Sequence, residues 1–120
     1  MQFVIDNDWQ VESMRVHADS ALQFPDSGKV YIMSFENKTI DLSREFSLKI
    51  DFNTCWGKVN FKVSNKVKFN TGACTEVCCF SEFAENLISL VLDNLSNYER
   101  RDTKLTFTGK GGEVLNLTKK

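Results

Sequence analysis

The chain has 120 residues with a formal net charge of −1, and 42% of its residues are hydrophobic. This length suits one domain, residues 1–120, with a single core, and the apolar content excludes a disordered chain. A net charge close to zero argues against bulk attraction to nucleic acid or to an anionic membrane.

The N-terminal sequence MQFVIDNDWQ has neither a basic region nor an apolar run of the kind found in secretory signals. We therefore predict no signal peptide. No apolar run in the chain approaches the length that a membrane span needs. We expect a cytoplasmic protein that makes no membrane contact.

The first part of the chain shows strand-like patterns. Residues 2–5 can begin a short strand, and a looser alternation follows over residues 9–18. Val11 and Met14 fall in different registers of that alternation, so we predict a β-bulge near residues 12–13.

The middle of the chain has the clearest alternation of apolar and polar residues. A strand over 29–35 precedes two longer ones, EFSLKIDF at 45–52 and CWGKVNFKV at 55–63. We predict a tight hairpin turn at 53–54 between the two longer strands and a second turn at 64–65.

The stretch from Thr75 to Tyr98 has apolar residues at helical spacing, which predicts one long α-helix over about 76–98. Thr75 or Ser81 can cap its start. A C-terminal β-hairpin turns at residues 109–112. The predicted fold is α+β, an antiparallel sheet of about six to eight strands packed on this helix. The apolar face of the helix consists of Phe80, Phe83, Ala84, Leu87, Ile88, Val91, Leu95 and Tyr98.

The four cysteines raise the question of a zinc site. Cys55, Cys74, Cys78 and Cys79 match a structural zinc site in number, but their spacing differs from that of the common zinc knuckles. In the cytosol, thiols are far more common than disulfides. We therefore predict four free thiols, no metal and no cofactor.

Catalytic signatures are weak. His17 is the only histidine, and a nucleophilic pair with Cys55 or Cys74 is formally possible, but a lone histidine is more often a surface residue. The glycine-rich residues 109–112 precede a strand pattern, whereas a phosphate-binding loop precedes a helix. We therefore predict that the protein is not an enzyme.

Two surfaces are candidates for binding. The first is the outward face of the middle strands, where Trp56 is either a binding anchor or covered by the N-terminal segment. The lysines around it favour a solvated face over a nucleic-acid site. The second surface is the acidic N-terminal segment. We predict that Trp56, Lys58 and Lys62 on one surface, and Asp6, Asp8, Glu12, Asp19 and Asp26 on the other, contact the partner. The full set of outward lysines is Lys49, Lys58, Lys62, Lys66 and Lys68.

The order of motifs in residues 45–117 also points to a family. Trp56-Gly57 in a strand is followed by the helical sequence FSEFAENL at 80–87, and a strand pair follows at 105–115. This order resembles the small bacterial toxin-immunity proteins of WapI-like polymorphic toxins. The resemblance implies a non-catalytic inhibitor that binds and blocks a protein partner.

Two alternatives remain to this interpretation. One is a phage-encoded inhibitor of a bacterial defence complex, similar to an anti-CRISPR protein. The other belongs to a different class, a nucleic-acid-binding module that uses the lysine-rich face of the sheet.

Overall fold

The computed structural model describes residues 8–36, 43–50, 53–75 and 80–120. Eight antiparallel strands form a closed barrel, in which consecutive strands pair and the last strand pairs with the first. The strands are β1 (Asp8–Arg15), β2 (Ile32–Phe35), β3 (Ser43–Ile50), β4 (Asn53–Lys62), β5 (Lys66–Cys74), β6 (Leu95–Arg101), β7 (Lys104–Gly109) and β8 (Val114–Lys119).

The prediction of one long helix over 76–98 is wrong. The helical segment consists of α1 (Glu82–Asn86), a π-helical turn (Leu87–Val91) and a 3-10 turn (Leu92–Asn94), and the chain then enters β6. The predicted cap at Ser81 is confirmed, because its hydroxyl accepts a hydrogen bond from the backbone N–H of Ala84 at 3.1 Å.

A β-bulge in β6 explains why apolar residues keep the spacing of a helix beyond the end of the helical segment. Leu95 and Tyr98 are both buried in β6, and the pairing of β6 with β7 shifts register between Leu95 and Asn97. The extra residue places two inward side chains three positions apart, which is also the spacing of a helix face.

The bulge predicted in β1 is confirmed. The register of β1 against β8 shifts between Val11 and Ser13, and both Val11 and Met14 are buried. A spacing of three therefore marks a bulge at both places in this chain.

The predicted α+β class is also wrong, because the sheet closes on itself and has no open face for a helix. The helical segment instead covers one end of the barrel, which we call the upper end. Its Phe83 lies against Tyr31, with ring centroids 5.4 Å apart. The segment also fills a seam, since β5 and β6 pair only at Lys66 and Asn97.

The barrel interior is filled by aromatic rings. Phe69 of β5 makes edge-to-face contacts with Phe46 of β3, at 5.3 Å between centroids, and with Phe107 of β7, at 5.1 Å. Phe61 contacts Tyr98 in the same way at 5.2 Å. An eight-stranded barrel has an interior just wide enough for side chains to fill, and these rings fill it where they pack.

Several local predictions can be compared with the strands. The turn at 64–65 is confirmed, since residues 63–65 connect β4 to β5 and Ser64 and Asn65 both have a φ of 60°, in the left-handed region. The C-terminal hairpin is present as β7 and β8. The turn predicted at 53–54 is wrong, because these residues pair with β3 inside β4. The predicted strand at 2–5 lies outside the described residues.

A disulfide joins Cys55 of β4 to Cys74 of β5. The two residues are direct cross-strand partners, which brings their side chains together. The prediction of free thiols is therefore wrong for these two residues, while Cys78 and Cys79 lie outside the described residues. Over the described parts of the chain, no helix is long and apolar enough to cross a membrane.

Truncation of Leu87 tests the role of the helical segment as the upper cover of the core. Leu87 is fully buried, so we expect Leu87→Ala to lower the free energy of unfolding by about 2–5 kcal/mol. The matched control is Leu90→Ala three residues later, where the side chain is 47% exposed and a change below about 0.5 kcal/mol is expected. Urea melts of both variants measure the difference, and equal losses would contradict this arrangement.

The disulfide can be tested by alkylation of the denatured, unreduced protein followed by peptide mass mapping. We expect Cys55 and Cys74 to resist alkylation until a reductant is added. The double variant Cys55→Ser with Cys74→Ser should lose about 2–4 kcal/mol of stability, since the bridge closes a loop across 19 positions. Alkylation of both cysteines without reductant would contradict the bridge.

Candidate functional site

The exposed Trp56 marks the candidate site. Alternation along β4 sends Cys55 into the core and Trp56 outward, where 49% of the side chain is exposed. Trp56 lies opposite Ser47 of β3 and Ala73 of β5. Its predicted outward orientation is confirmed, and an exposed indole of this size is a typical anchor for a binding partner.

A groove opens beside this indole. The pairing of β4 with β5 shifts register between Trp56 and Gly57, so that Gly72 is the extra residue of a β-bulge in β5. The resulting groove has a volume of about 460 Å³ and is lined by the small residues of both strands together with Trp56. We call it the Trp56 groove. Its small lining residues are Gly57, Thr71, Gly72 and Ala73, and Glu45, Lys58 and Asn70 complete the lining.

Gly57 is required by packing. A Cβ atom at this position would overlap the carbonyl oxygen of Asn70 and would lie 2.8 Å from the ring of Phe46. A larger residue would therefore push β4 away from β5 or displace a core aromatic ring. The floor of the groove depends on this close approach of the two backbones.

The other wall of the groove is held by the helical segment. The carboxylate of Asp93 accepts hydrogen bonds from the backbone N–H of Thr71 at 3.0 Å and from its hydroxyl at 2.9 Å. Asp93 belongs to the 3-10 turn that fills the seam between β5 and β6. The same contact therefore fixes the bulged strand and closes the barrel.

Lysines extend the site toward the lower end of the barrel. All five predicted outward lysines are exposed, and four of them lie on β4 and β5, where Lys58 lines the groove and the other three lie below it. Lys62 lies directly opposite Lys66, and Lys68 lies opposite Asn60. We call this set the lysine strip: Lys58, Lys62, Lys66 and Lys68.

The acidic N-terminal residues do not form one surface. Asp8 begins β1 at the lower end, whereas Asp19 and Asp26 lie in the connection from β1 to β2 at the upper end. Glu12 forms an ion pair with Lys104 at 2.7 Å on the outer face of β1. Asp6 lies outside the described residues. The structure therefore places Trp56, Lys58 and Lys62 on one face and leaves these acids scattered.

The residues considered for catalysis do not form a nucleophilic pair. The ring of His17 hydrogen-bonds with the Ser20 hydroxyl at 2.9 Å in an exposed loop, and Cys55 and Cys74 are joined to each other in the disulfide. Within the described residues, no group of three or more His, Cys, Asp or Glu side chains could hold a metal. The glycine-rich residues 109–112 form the turn from β7 to β8, as predicted.

A second hollow, of about 380 Å³, lies beside the turn of Ser64 and Asn65 and has a mostly polar lining that includes Tyr98. Burial raises the pKa of the Tyr98 phenol above its ordinary value, so this hydroxyl stays neutral at physiological pH. The one carboxylate in the lining belongs to Glu99, which forms an ion pair with Arg101 at 2.9 Å.

Comparison with known proteins establishes the fold alone. No family model matches the chain, and no curated protein matches it significantly. A protein from Burkholderia xenovorans, solved by NMR, superposes with a TM-score of 0.68 at 19% identity and covers 96% of this chain and 82% of its own. A duf4847 family protein from Bacteroides vulgatus gives 0.61 at 13% identity, covering 95% and 92%. Neither name mentions toxin immunity, so that resemblance stays a prediction.

A pair of glycine substitutions tests the close approach of β4 and β5 at the groove. We expect Gly57→Ala to cost about 1–3 kcal/mol, because the new methyl group would overlap the Asn70 carbonyl. At Gly72 the nearest atom to an added Cβ is the Trp56 carbonyl oxygen at 3.3 Å, so Gly72→Ala should cost less than about 1 kcal/mol. Denaturant melts give both values, and a Gly57→Ala protein as stable as wild type would rule out this packing.

Proposed function

We propose that this protein is a non-catalytic inhibitor that binds a protein partner through the Trp56 groove and blocks it. The observation that supports this most directly is the half-exposed Trp56 beside an open groove of about 460 Å³. Aromatic side chains next to a pocket dominate the binding energy of many interfaces. Because aromatic side chains pack in the barrel interior, we place the proposed binding site on the outer face.

The shape of the groove suits an apolar side chain of the partner. The walls are the indole of Trp56 and the small residues Gly72 and Ala73, which leave room without offering a large competing side chain. A partner residue placed there removes the indole face from water, which is favourable by about 25 cal/mol for each Å² of apolar surface.

The specific form of this proposal comes from the sequence resemblance, which makes the partner a bacterial toxin and the barrel its immunity protein. A phage-encoded inhibitor of a defence complex uses the same kind of surface and is the alternative. We retain the cytoplasm as the proposed compartment, although the Cys55–Cys74 bridge is more typical of oxidising compartments.

One observation favours a second candidate function. Trp56 and the lysine strip lie on the same face, and a stacking aromatic beside basic residues is the composition of many single-stranded nucleic-acid sites. The net charge of −1 weakens long-range attraction to a polyanion, so we rank this function second.

Truncation of the indole tests the main proposal once a partner has been captured and identified. We expect Trp56→Ala to weaken binding at least about 30-fold, the effect of removing an interface anchor, as measured by calorimetry. The free energy of unfolding should change by less than about 1 kcal/mol, because the side chain is half exposed. The control is Leu22→Ala, a 47% exposed residue in the connection from β1 to β2, which should leave both quantities unchanged.

A photo-cross-linking residue gives an independent location for the partner. Placed at Ala73 it should capture the partner, whereas at Lys119 on β8 it should not. Normal binding by Trp56→Ala, or capture from Lys119 alone, would move the interface away from the groove.

A further inference from the structure

We propose that the partner segment in the Trp56 groove is acidic, with an apolar side chain beside the indole and carboxylates along the lysine strip. This inference rests on the proposed function and adds the chemistry of the partner. It depends on one juxtaposition: the groove and the strip follow one another on the outer face of β4 and β5, and Lys58 belongs to both.

The strip has the dimensions of a short peptide site. Lys58 and Lys62 are four residues apart on β4, which corresponds to about 14 Å at the rise of an antiparallel strand. On β5, Lys66 lies opposite Lys62, about 5 Å away between paired Cα atoms, and Lys68 lies opposite Asn60, which is midway between Lys58 and Lys62. An extended segment of four or five residues spans this distance.

Within the described part of the chain, no ion pair involves a lysine of the strip, and the one acidic cross-strand partner is Glu45, which lies opposite Lys58. The ion pairs seen there, Glu99 with Arg101 and Glu12 with Lys104, lie on other strands. Lys62 and Lys66 face each other directly, and like charges in that position destabilise a sheet. A bound carboxylate between these two ammonium groups would remove the repulsion.

Protection of a sheet edge does not explain Lys58. Lysines often stand on exposed edge strands, where they discourage pairing with other chains. Lys58, however, lies opposite Glu45 of β3 and Asn70 of β5, so β4 is paired on both sides at this residue. A charged binding face is the better explanation for a lysine in this position.

The observations favour an acidic protein segment over a nucleic acid. Single-stranded nucleic-acid sites stack successive bases on several aromatics, whereas Trp56 is the only exposed aromatic among the described residues of this face. Glu45 also borders the groove and would repel a phosphate chain. A peptide can place its apolar residue near Glu45 and its carboxylates farther down, along the strip.

Selection of random twelve-residue peptides displayed on phage tests this inference without knowledge of the natural partner. We expect peptides selected on the wild-type protein to be enriched in Asp and Glu next to an aromatic or large aliphatic residue. Their affinity should fall about tenfold or more between 50 and 300 mM salt, because salt screens exposed charges. The charge-reversed variant Lys62→Glu with Lys66→Glu should bind the same peptides at least about tenfold more weakly.

The matched control reverses two lysines elsewhere. Lys119→Glu with Lys120→Glu changes the net charge equally at the end of β8 and should bind the selected peptides as wild type does. Equal binding by the strip variant and this control, or selected peptides without acidic enrichment, would overturn the inference.

The remaining outcomes separate this inference from the proposed function. If the selected peptides lack acidic residues and Trp56→Ala abolishes their binding, the proposed function through the Trp56 groove is supported and the inference of an acidic partner is wrong. Undiminished binding by Trp56→Ala, or recovery of no peptide above the bare support, overturns both proposals. The last outcome concerns a thymidine oligonucleotide. If it binds the wild-type protein more tightly than the selected peptides do, and the strip variant no longer binds it, the face is a nucleic-acid site and the inference is overturned.

Discussion

The filling of the barrel interior is the constraint on which the rest of the structure depends. Phe69 stands between Phe46 and Phe107, so one ring on β5 connects β3 with β7 across the barrel. Eight strands enclose a space that such rings can fill. Where these rings pack, side chains occupy the space between the strands, and the candidate site lies on the outer face. The open groove next to Trp56 and the exposed lysines are on that face, just outside the aromatic core.

Much of the strand structure could be predicted from alternation, but closure could not. Alternation depends on neighbouring residues, whereas closure depends on the pairing of β1 with β8, about a hundred positions apart. The error over 76–98 has a more local cause. The spacing of three in Val11 and Met14 was correctly interpreted as a bulge because strand-like residues surround it. The same spacing in Leu95 and Tyr98 follows a true helical segment, so the bulge in β6 was indistinguishable from another helical turn.

Part of the candidate site could also be predicted from the alternation of apolar and polar residues. The outward positions of Trp56, Lys58 and Lys62 follow from alternation along a single strand. The groove does not, because it depends on the register of β5 against β4 and on the extra residue at Gly72. The disulfide was missed for a related reason: Cys55 and Cys74 become partners only through that same register. The prediction of one acidic surface in the N-terminal segment is wrong, because acidic residues that are close in the sequence lie at opposite ends of the barrel.

Contacts on two sides hold the groove in shape. On one side, Asp93 fixes both the backbone and the hydroxyl of Thr71. At its upper end, the bridge between Cys55 and Cys74 adjoins the pair of Trp56 with Ala73. A preformed surface loses little conformational entropy on binding, so more of the contact energy is available as affinity. Because Asp93 belongs to the segment that fills the seam between β5 and β6, the contact that completes the barrel also fixes the shape of the candidate site.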